Sequence, residues 1–408
     1  MLTRRGWLVA VGAVAMMFAG RLLGILELFV LAVASIALLI GACAQVRFAQ
    51  VRLRAARHLH PTRVFAGTDS RVELEVTNRG TRVTPVLTVR DPFDRGRRQA
   101  RFLLGPLRPN ATSRAAYRLP TERRGVFEIG PLEVTNQDPF GLASTGQVIA
   151  PATELTVYPP LDAIVPLPQT QGHDPMAGAD HPTALGVAGE DFYALRAYEM
   201  GDDLRRVHWP STARVDELMI RQNEMPWQGR TTVLLDTRAR AHHGESLEVA
   251  VRAAASIVNA CWRRGSLVRL VTTDGADSSF AAGQAHVEAI MERLATVRAV
   301  RGDRLAGVLG GLRRAGNAGA MVAVVTAIVP SEELERLARL RGRFGALSLV
   351  LIERSAWEPG AVAGPDQRPP SVAKLVRVTR EVPFATAWNH AFAGRSRAAA
   401  PTLAGWGP

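Results

Sequence analysis

The chain has 408 residues, with 50 lysines and arginines against 37 aspartates and glutamates and a formal net charge of +13. That length exceeds one ordinary soluble domain and points to two or three. A hydrophobic fraction of 47 % excludes disorder as the main state, and two cysteines exclude a disulfide scaffold or a cysteine-rich metal protein. The basic excess invites a nucleic-acid reading, but its chemistry argues otherwise. There is a single lysine, Lys374, and arginine runs through every segment instead of concentrating on one element. No nucleic-acid partner is expected.

Arg4 and Arg5 precede an apolar stretch from position 6 to about 46, interrupted only by Arg21 and Glu27. A spanning helix needs about 20 apolar residues. The stretch is about twice that, which predicts a transmembrane helical hairpin, spans 6–22 and 28–46, within an anchor of residues 1–57. A cleaved signal peptide is the alternative, but no small-x-small site is evident and a second apolar run follows at once. Arg4 and Arg5 flank the first span; Arg47, Arg52, Arg54 and Arg57 follow the second. The positive-inside rule then puts both ends in the cytoplasm. This predicts a multi-pass protein of the cytoplasmic membrane with cytoplasmic soluble domains, where Cys43 and Cys261 would be free thiols.

Residues 58–160 change pattern. Arg71-Val-Glu-Leu-Glu-Val76 alternates with the period of a half-buried strand. Further strands are expected at 83–90, 99–104, 113–119, 125–134 and 154–158, which together predict an all-β immunoglobulin-like sandwich. Ten arginines between positions 90 and 124 form either a solvated surface or an edge facing anionic membrane lipid. Residues 161–188 read as a linker. Its His173, Asp174, Asp180 and His181 match no metal-ligand spacing.

Residues 229–383 alternate strands (231–236, 267–273, 320–329, 346–352, 375–379) with helices (245–264, 285–297, 303–314, 331–341). That order predicts a Rossmann-type α/β sheet with helices on both faces, whose ligands bind at the carboxyl ends of the strands. Residues 384–408 read as a C-terminal tail.

Between linker and sheet lies a segment, 189–228, dense in residues that build polar networks. Asp202 or Asp203 is expected to pair with Arg205 or Arg214, and Trp209 to stack on an arginine. A catalytic reading makes Asp203 and His208 an acid–base pair; against it, no nucleophile motif, phosphate loop or metal spacing is present. The order Arg196-x-Tyr198-x-x-Gly201-Asp202-x-x-Arg205-x-x-His208-Trp209-x-x-x-Ala213-Arg214 resembles the DUF58 family of membrane-anchored proteins. So do Asp138-Pro-Phe-Gly141-Leu and the stretch opening at Arg124-Gly. The resemblance implies a β domain followed by a von Willebrand factor A-like domain. It also implies association with a MoxR-type AAA+ ATPase in a chaperone-like role in complex maturation.

A typical A domain holds Mg²⁺ through Asp-x-Ser-x-Ser after its first strand. Here the matching stretch is Asp236-Thr-Arg238-Ala-Arg240, with arginines at both serine positions. Arginine cannot ligate a cation, so no metal and no cofactor are expected. Arg238 and Arg240 are candidates for binding an acidic partner surface. Thr273-Asp274-Gly275 follows the second strand, the wrong place for the metal-binding role. The expectation is a non-enzymatic, membrane-anchored interaction protein. The alternatives are a hydrolase using Asp203 and His208, or a metal-dependent envelope adhesion protein of reversed topology.

Overall fold

The computed structural model describes residues 2–49, 51–94, 96–168, 192–198, 207–215, 217–223, 229–302, 304–314, 319–326, 331–358, 360 and 374–393. The chain divides into two compact units, Met1–Pro160 and Leu161–Pro408.

The first unit opens with two helices, α1 (Arg4–Leu23) and α2 (Leu26–Phe48). Thr3 caps α1, its hydroxyl accepting from Gly6 N–H at 3.1 Å. Gly24, at φ 70°, ends it in the left-handed conformation that lets the chain turn back. Small residues let the two helices pack: Ala13, Gly20 and Ala32 are buried, and a Cβ on Gly20 would lie 3.2 Å from the Ile25 carbonyl oxygen. The outer faces carry exposed Trp7, Phe18, Leu22, Leu26, Ile40 and Phe48. Both helices are long and apolar enough to cross a membrane.

Ten strands follow: β1 (Leu53–His60), β2 (Arg63–Phe65), β3 (Ser70–Asn78), β4 (Leu87–Phe93), β5 (Arg98–Leu104), β6 (Thr112–Leu119), β7 (Gly125–Ile129), β8 (Leu132–Gln137), β9 (Ser144–Ala150) and β10 (Thr153–Tyr158). One sheet runs β1-β3-β6. The other runs β2-β10-β7-β4-β8-β9, with β5 paired to β4. The core draws on both sheets, with Leu59, Val72 and Leu74 meeting Leu87, Val89, Ile129, Val134 and Leu155. That is the sandwich the alternation predicts.

Several expected boundaries move. The anchor does not extend to residue 57: β1 starts at Leu53, so Arg54 and Arg57 are strand residues. Leu53, Ala55, Arg57 and Leu59 fall on one face of β1, and the arginine at an inward position hid the pattern. The expected strand 125–134 is two, separated at Gly130-Pro131. β9 escaped because most of it is exposed on both faces, leaving no alternation to read. The ten arginines do not crowd one edge. Arg98 and Arg101 stand on β5 of the larger sheet, whereas Arg114 and Arg118 stand on β6 of the smaller one, paired with Glu75 and Asp69.

The second unit begins with residues 161–167 already docked, so the expected linker is shorter at this end. Asp162 pairs with Arg252, and Val165 N–H donates to Asn389 Oδ1 at 2.8 Å. β11 (Phe192–Ala197) and β12 (Met219–Asn223) form an antiparallel pair around α3 (Trp209–Val215). Then come β13 (Arg230–Leu235), α4 (Ser246–Arg263), β14 (Leu267–Thr272), α5 (Gln284–Thr296), α6 (Leu305–Arg314), β15 (Ala320–Thr326), α7 (Ser331–Ala338), β16 (Ala346–Ile352), β17 (Lys374–Val378) and α8 (Phe384–Ala393). The five later strands are all parallel in the order β14-β13-β15-β16-β17. The strand order reverses direction beside β13, the topological switch point of an open α/β sheet.

The expected C-terminal tail contains α8. Phe384, Trp388 and Phe392 repeat every four residues and are buried, with ring centroids 5.5 and 4.5 Å apart. Trp388 Nε1 donates to the Val165 carbonyl at 2.7 Å, which satisfies its one polar atom.

Candidate functional site

Asp236 follows β13 directly, and its N–H donates to the Val324 carbonyl of β15 at 3.0 Å. It therefore stands at the switch point, where ligands of such sheets bind. Its carboxylate accepts the Arg238 N–H at 3.0 Å, which turns the chain back so that Arg238 folds over it. Arg238 Nε and Nη2 then donate to Asp236 Oδ1 and Oδ2 at 3.0 and 2.8 Å. A second fork goes to Glu333 in the first turn of α7, with Nη1 to Oε1 at 2.9 Å and Nη2 to Oε2 at 3.0 Å. Arg240 Nη2 also reaches Glu333 Oε1, at 3.0 Å. Asp236 is fully buried and Arg238 is 3 % exposed. Bidentate pairing of this kind is the strong form of ion pair, and the helix N-terminus favours the Glu333 carboxylate.

The four side chains balance two positive charges against two negative ones. Burial alone would push the Arg238 guanidinium down. Hydrogen bonds and charge from Asp236 and Glu333 outweigh it and raise it above its ordinary value. Arg238 is thus not available to an acidic partner surface, contrary to the expectation from sequence. Arg240 keeps an outward face, its side chain 58 % exposed.

The rim holds two further residues that the sequence left out of the site. Thr273, after β14, donates its hydroxyl to Asp236 Oδ1 at 3.2 Å and accepts the Thr237 N–H at 2.8 Å. The segment set aside as misplaced therefore reaches the strand-end carboxylate, because β14 lies next to β13. His242 Nε2 lies 2.8 Å from the Asp236 carbonyl and Nδ1 lies 3.3 Å from Ser246 Oγ. A carbonyl only accepts, so Nε2 carries the proton and Ser246 donates to Nδ1. Burial lowers His242 below its ordinary value, against the opposing pull of Asp236.

This donor set does not fit a divalent cation. Both Asp236 oxygens and both Glu333 oxygens are engaged by guanidinium groups, and a second cation placed there would be repelled.

The signature segment is only partly described. Arg196 lies on β11, opposite Ile220, and Tyr198 N–H donates to the Leu218 carbonyl at 2.7 Å. Gly201, Asp202, Asp203 and Arg205 lie outside the described residues, and with them the expected acid–base pair. His208 immediately precedes α3, its carbonyl accepting from the Ser211 and Thr212 N–H groups, and its Nδ1 lies 2.8 Å from Ser211 Oγ. Three residues apart at a helix start, the two side chains make a local contact. Trp209 and Arg214 sit on α3. Trp209 is 66 % exposed, and no arginine stacks on it among the described residues, unlike the expectation.

The other motif, Asp138-Pro-Phe-Gly141-Leu142, has a clear structural task. Asp138 accepts from Ala143 N–H at 2.5 Å and Phe140 N–H at 2.9 Å, shaping a tight loop. The loop then holds the start of α1: Thr3 N–H donates to the Leu142 carbonyl at 2.9 Å and the Thr3 hydroxyl to Gly141 O at 2.5 Å. Leu142 and Ala143 pack with Leu39, Ala42 and Val46 of α2.

Comparison with known proteins agrees with the motif reading. Residues 194–360 match the family described as "Protein of unknown function DUF58", so this stretch carries the DUF58 family assignment. No curated protein matches the chain. Among solved structures, the CARDB domain of a Pyrococcus furiosus protein, solved with di-metal ions, is similar at 16 % identity and a TM-score of 0.21. It covers 27 % of this chain and 96 % of that one. β-Glucosidase 3B from Thermotoga neapolitana matches at 14 % identity and a TM-score of 0.16, over 26 % of this chain and 17 % of its own. A putative β-galactosidase from Bacteroides fragilis matches at 11 % identity and a TM-score of 0.18, over 74 % of this chain and 38 % of its own.

Proposed function

We propose that the chain is a membrane-anchored, non-enzymatic interaction protein. In this reading its α/β domain is a von Willebrand factor A-like module that has exchanged the metal for an internal guanidinium. It works with a MoxR-type AAA+ ATPase in chaperone-like complex maturation. The observation that carries the reading is the filled switch point. Where an enzyme of this sheet type would keep an open cleft, Arg238 occupies the space between Asp236 and Glu333. α1 and α2 serve as the anchor, with both ends in the cytoplasm because Arg4, Arg5, Arg47 and Arg52 gather at one end of the hairpin. The ATPase enters through the DUF58 resemblance.

The test is a pull-down of the full chain from native membranes. A MoxR-type ATPase is expected among the retained proteins, released by substitutions in the signature segment such as Trp209→Ala. Recovery of no ATPase under conditions that keep the chain in the membrane would remove the partnership. A hydrolytic activity abolished by His208→Ala in a folded chain would replace the reading with an enzymatic one.

A further inference from the structure

We propose that the open end of the β domain beneath α2 binds the headgroup of an anionic phospholipid. The proposal rests on the reading of α1 and α2 as a membrane anchor. The site is a cavity of about 480 Å³, within the size range of small-ligand pockets. Its mouth carries Arg47, in the last turn of α2, and Arg52, just before β1. No acidic residue lines it, and among the described residues no carboxylate pairs with either arginine.

The second observation lies deeper. Asn136 lines the cavity and is only 6 % exposed. On β8 it alternates inward with Leu132 and Val134, between Leu87 and Thr145 on the neighbouring strands. Its side-chain amide makes no hydrogen bond among the described residues. The amide borders the cavity, and an amide N–H open to a cationic cavity supplies a donor that a phosphate oxygen accepts. The α2 C-terminus contributes about half a negative charge, against two whole positive charges from the guanidiniums.

The rest of the lining selects a lipid over a soluble anion. Cys43 and Val46, one turn apart on α2, form an apolar wall that leads from the cavity along the helix toward the membrane-spanning stretch. A phosphodiester seated on Arg47, Arg52 and Asn136 has its glycerol and acyl chains against that wall. The bilayer holding the anchor supplies this ligand in the right place.

The experiment reconstitutes the full chain in nanodiscs of phosphatidylethanolamine and phosphatidylglycerol. The chain is then extracted in mild detergent and the co-purifying lipid is counted by mass spectrometry. The native chain is expected to retain phosphatidylglycerol in preference to phosphatidylethanolamine, saturating near one per chain. Each basic residue beside an anionic headgroup is worth a factor of about five, so the double variant Arg47→Gln/Arg52→Gln is expected to lower that preference about thirtyfold. Asn136→Leu is expected to weaken retention without lowering the unfolding temperature, since the amide makes no hydrogen bond within the protein among the described residues. Equal retention of both lipids by the native chain, or undiminished preference in the double variant, overturns the proposal. So does displacement of the lipid by millimolar glycerol 3-phosphate, which would mark a soluble-anion site. Release of the native chain from membranes by alkaline carbonate is a separate outcome and overturns the anchor itself.

Discussion

Arg238 and Asp236 are two residues apart in the chain, yet face each other through two parallel hydrogen bonds, Nε to Oδ1 at 3.0 Å and Nη2 to Oδ2 at 2.8 Å. The Asp236 carboxylate is buried, so it cannot fall back on water if the guanidinium is removed. Breaking one member of a buried pair costs about 3–5 kcal/mol, because a charge is left uncompensated. Arg238→Met is therefore expected to lower the unfolding free energy of the second unit by about that amount. Arg238→Lys should recover part of the loss, since it restores the charge but not the two forks. Denaturant titration of the full chain in detergent measures both. An unchanged midpoint for Arg238→Met would show that the pair does not hold the rim together.

The same geometry makes a statement about metals. The native chain is expected to give no stoichiometric heat with Mg²⁺ or Mn²⁺ in calorimetry. Arg238→Ser removes the guanidinium and leaves the Asp236 and Glu333 carboxylates facing each other, with the Thr273 hydroxyl beside Asp236. Hard oxygen donors of this kind suit Mg²⁺. Millimolar Mg²⁺ is expected to raise the unfolding temperature of Arg238→Ser and leave that of the native chain unmoved. A native chain stabilised by Mg²⁺ would contradict a guanidinium-filled rim.

His242 gives the rim a pH dependence with a definite sign. Burial lowers it from an ordinary value of 6.5, so the unfolded chain takes up a proton before the folded chain does. The unfolded state then binds more protons, and stability falls as pH drops below the ordinary histidine value. Above that value the contribution is fully present. His242→Gln keeps an amide donor for the Asp236 carbonyl but cannot titrate. Unfolding temperatures measured from pH 7.5 down to 5.5 are expected to fall more steeply for the native chain than for His242→Gln. Parallel curves would sink the assignment of the slope to this residue.

The periodic features of the fold were readable in the sequence. The apolar hairpin, the alternation of β3 and the five strands of the α/β sheet all follow from local patterns, and their order fixed the position of Asp236. What could not be read depends on distance or on broken pattern. Glu333 is 95 positions from Arg238, and nothing local marks it as the second acceptor. Thr273 joins the rim only because β14 is the neighbour of β13. Arg238 itself looked like a free surface charge, since sequence cannot say that both its forks are used inside the domain. α8 falls within the segment that reads as a tail, although its aromatic spacing of four marks a helix face.

Arg57 is the clearest case of a residue given the wrong task. Counted with the arginines that orient the hairpin, it instead crosses the β core. Its Nη2 donates to Asp91 Oδ1 at 2.5 Å, and Nη1 donates to the Ile129 and Pro151 carbonyls at 3.0 and 2.8 Å. Tyr117 donates to the same carboxylate at 2.7 Å, so two residues of the smaller sheet meet on Asp91 of the larger one. Burial and the Asp91 charge push the Tyr117 hydroxyl well above the ordinary phenol range, which keeps it a donor. Arg57→Gln is expected to destabilise the β domain by about 3–5 kcal/mol, and Tyr117→Phe by about 1–3 kcal/mol. Arg54→Gln, an exposed neighbour, should stay within about 0.5 kcal/mol. Limited proteolysis of the three variants ranks them, and equal resistance of Arg57→Gln and Arg54→Gln would return Arg57 to a topological role.

The Asp138 loop couples the β domain to the start of α1, and Gly6 is the residue that permits the close approach. A Cβ added at Gly6 would lie 2.1 Å from the Leu142 carbonyl oxygen, a backbone atom that cannot swing aside. Gly6→Val is therefore expected to separate the helix start from the loop, losing the Thr3 bonds to Gly141 and Leu142. Asp138→Ala attacks the same contact from the other side by removing the acceptor for the Phe140 and Ala143 N–H groups, at a cost of about 1–3 kcal/mol. Because both changes open one contact, their effects should not add. A cysteine pair at positions 2 and 143, which face each other across an antiparallel bridge and leave Thr3 intact, reads the contact directly when crosslinked in native membranes by a short bifunctional thiol reagent. High yield is expected in the otherwise native chain and low yield in each variant. Undiminished crosslinking in Gly6→Val would mean that the loop, and not the helix, gives way.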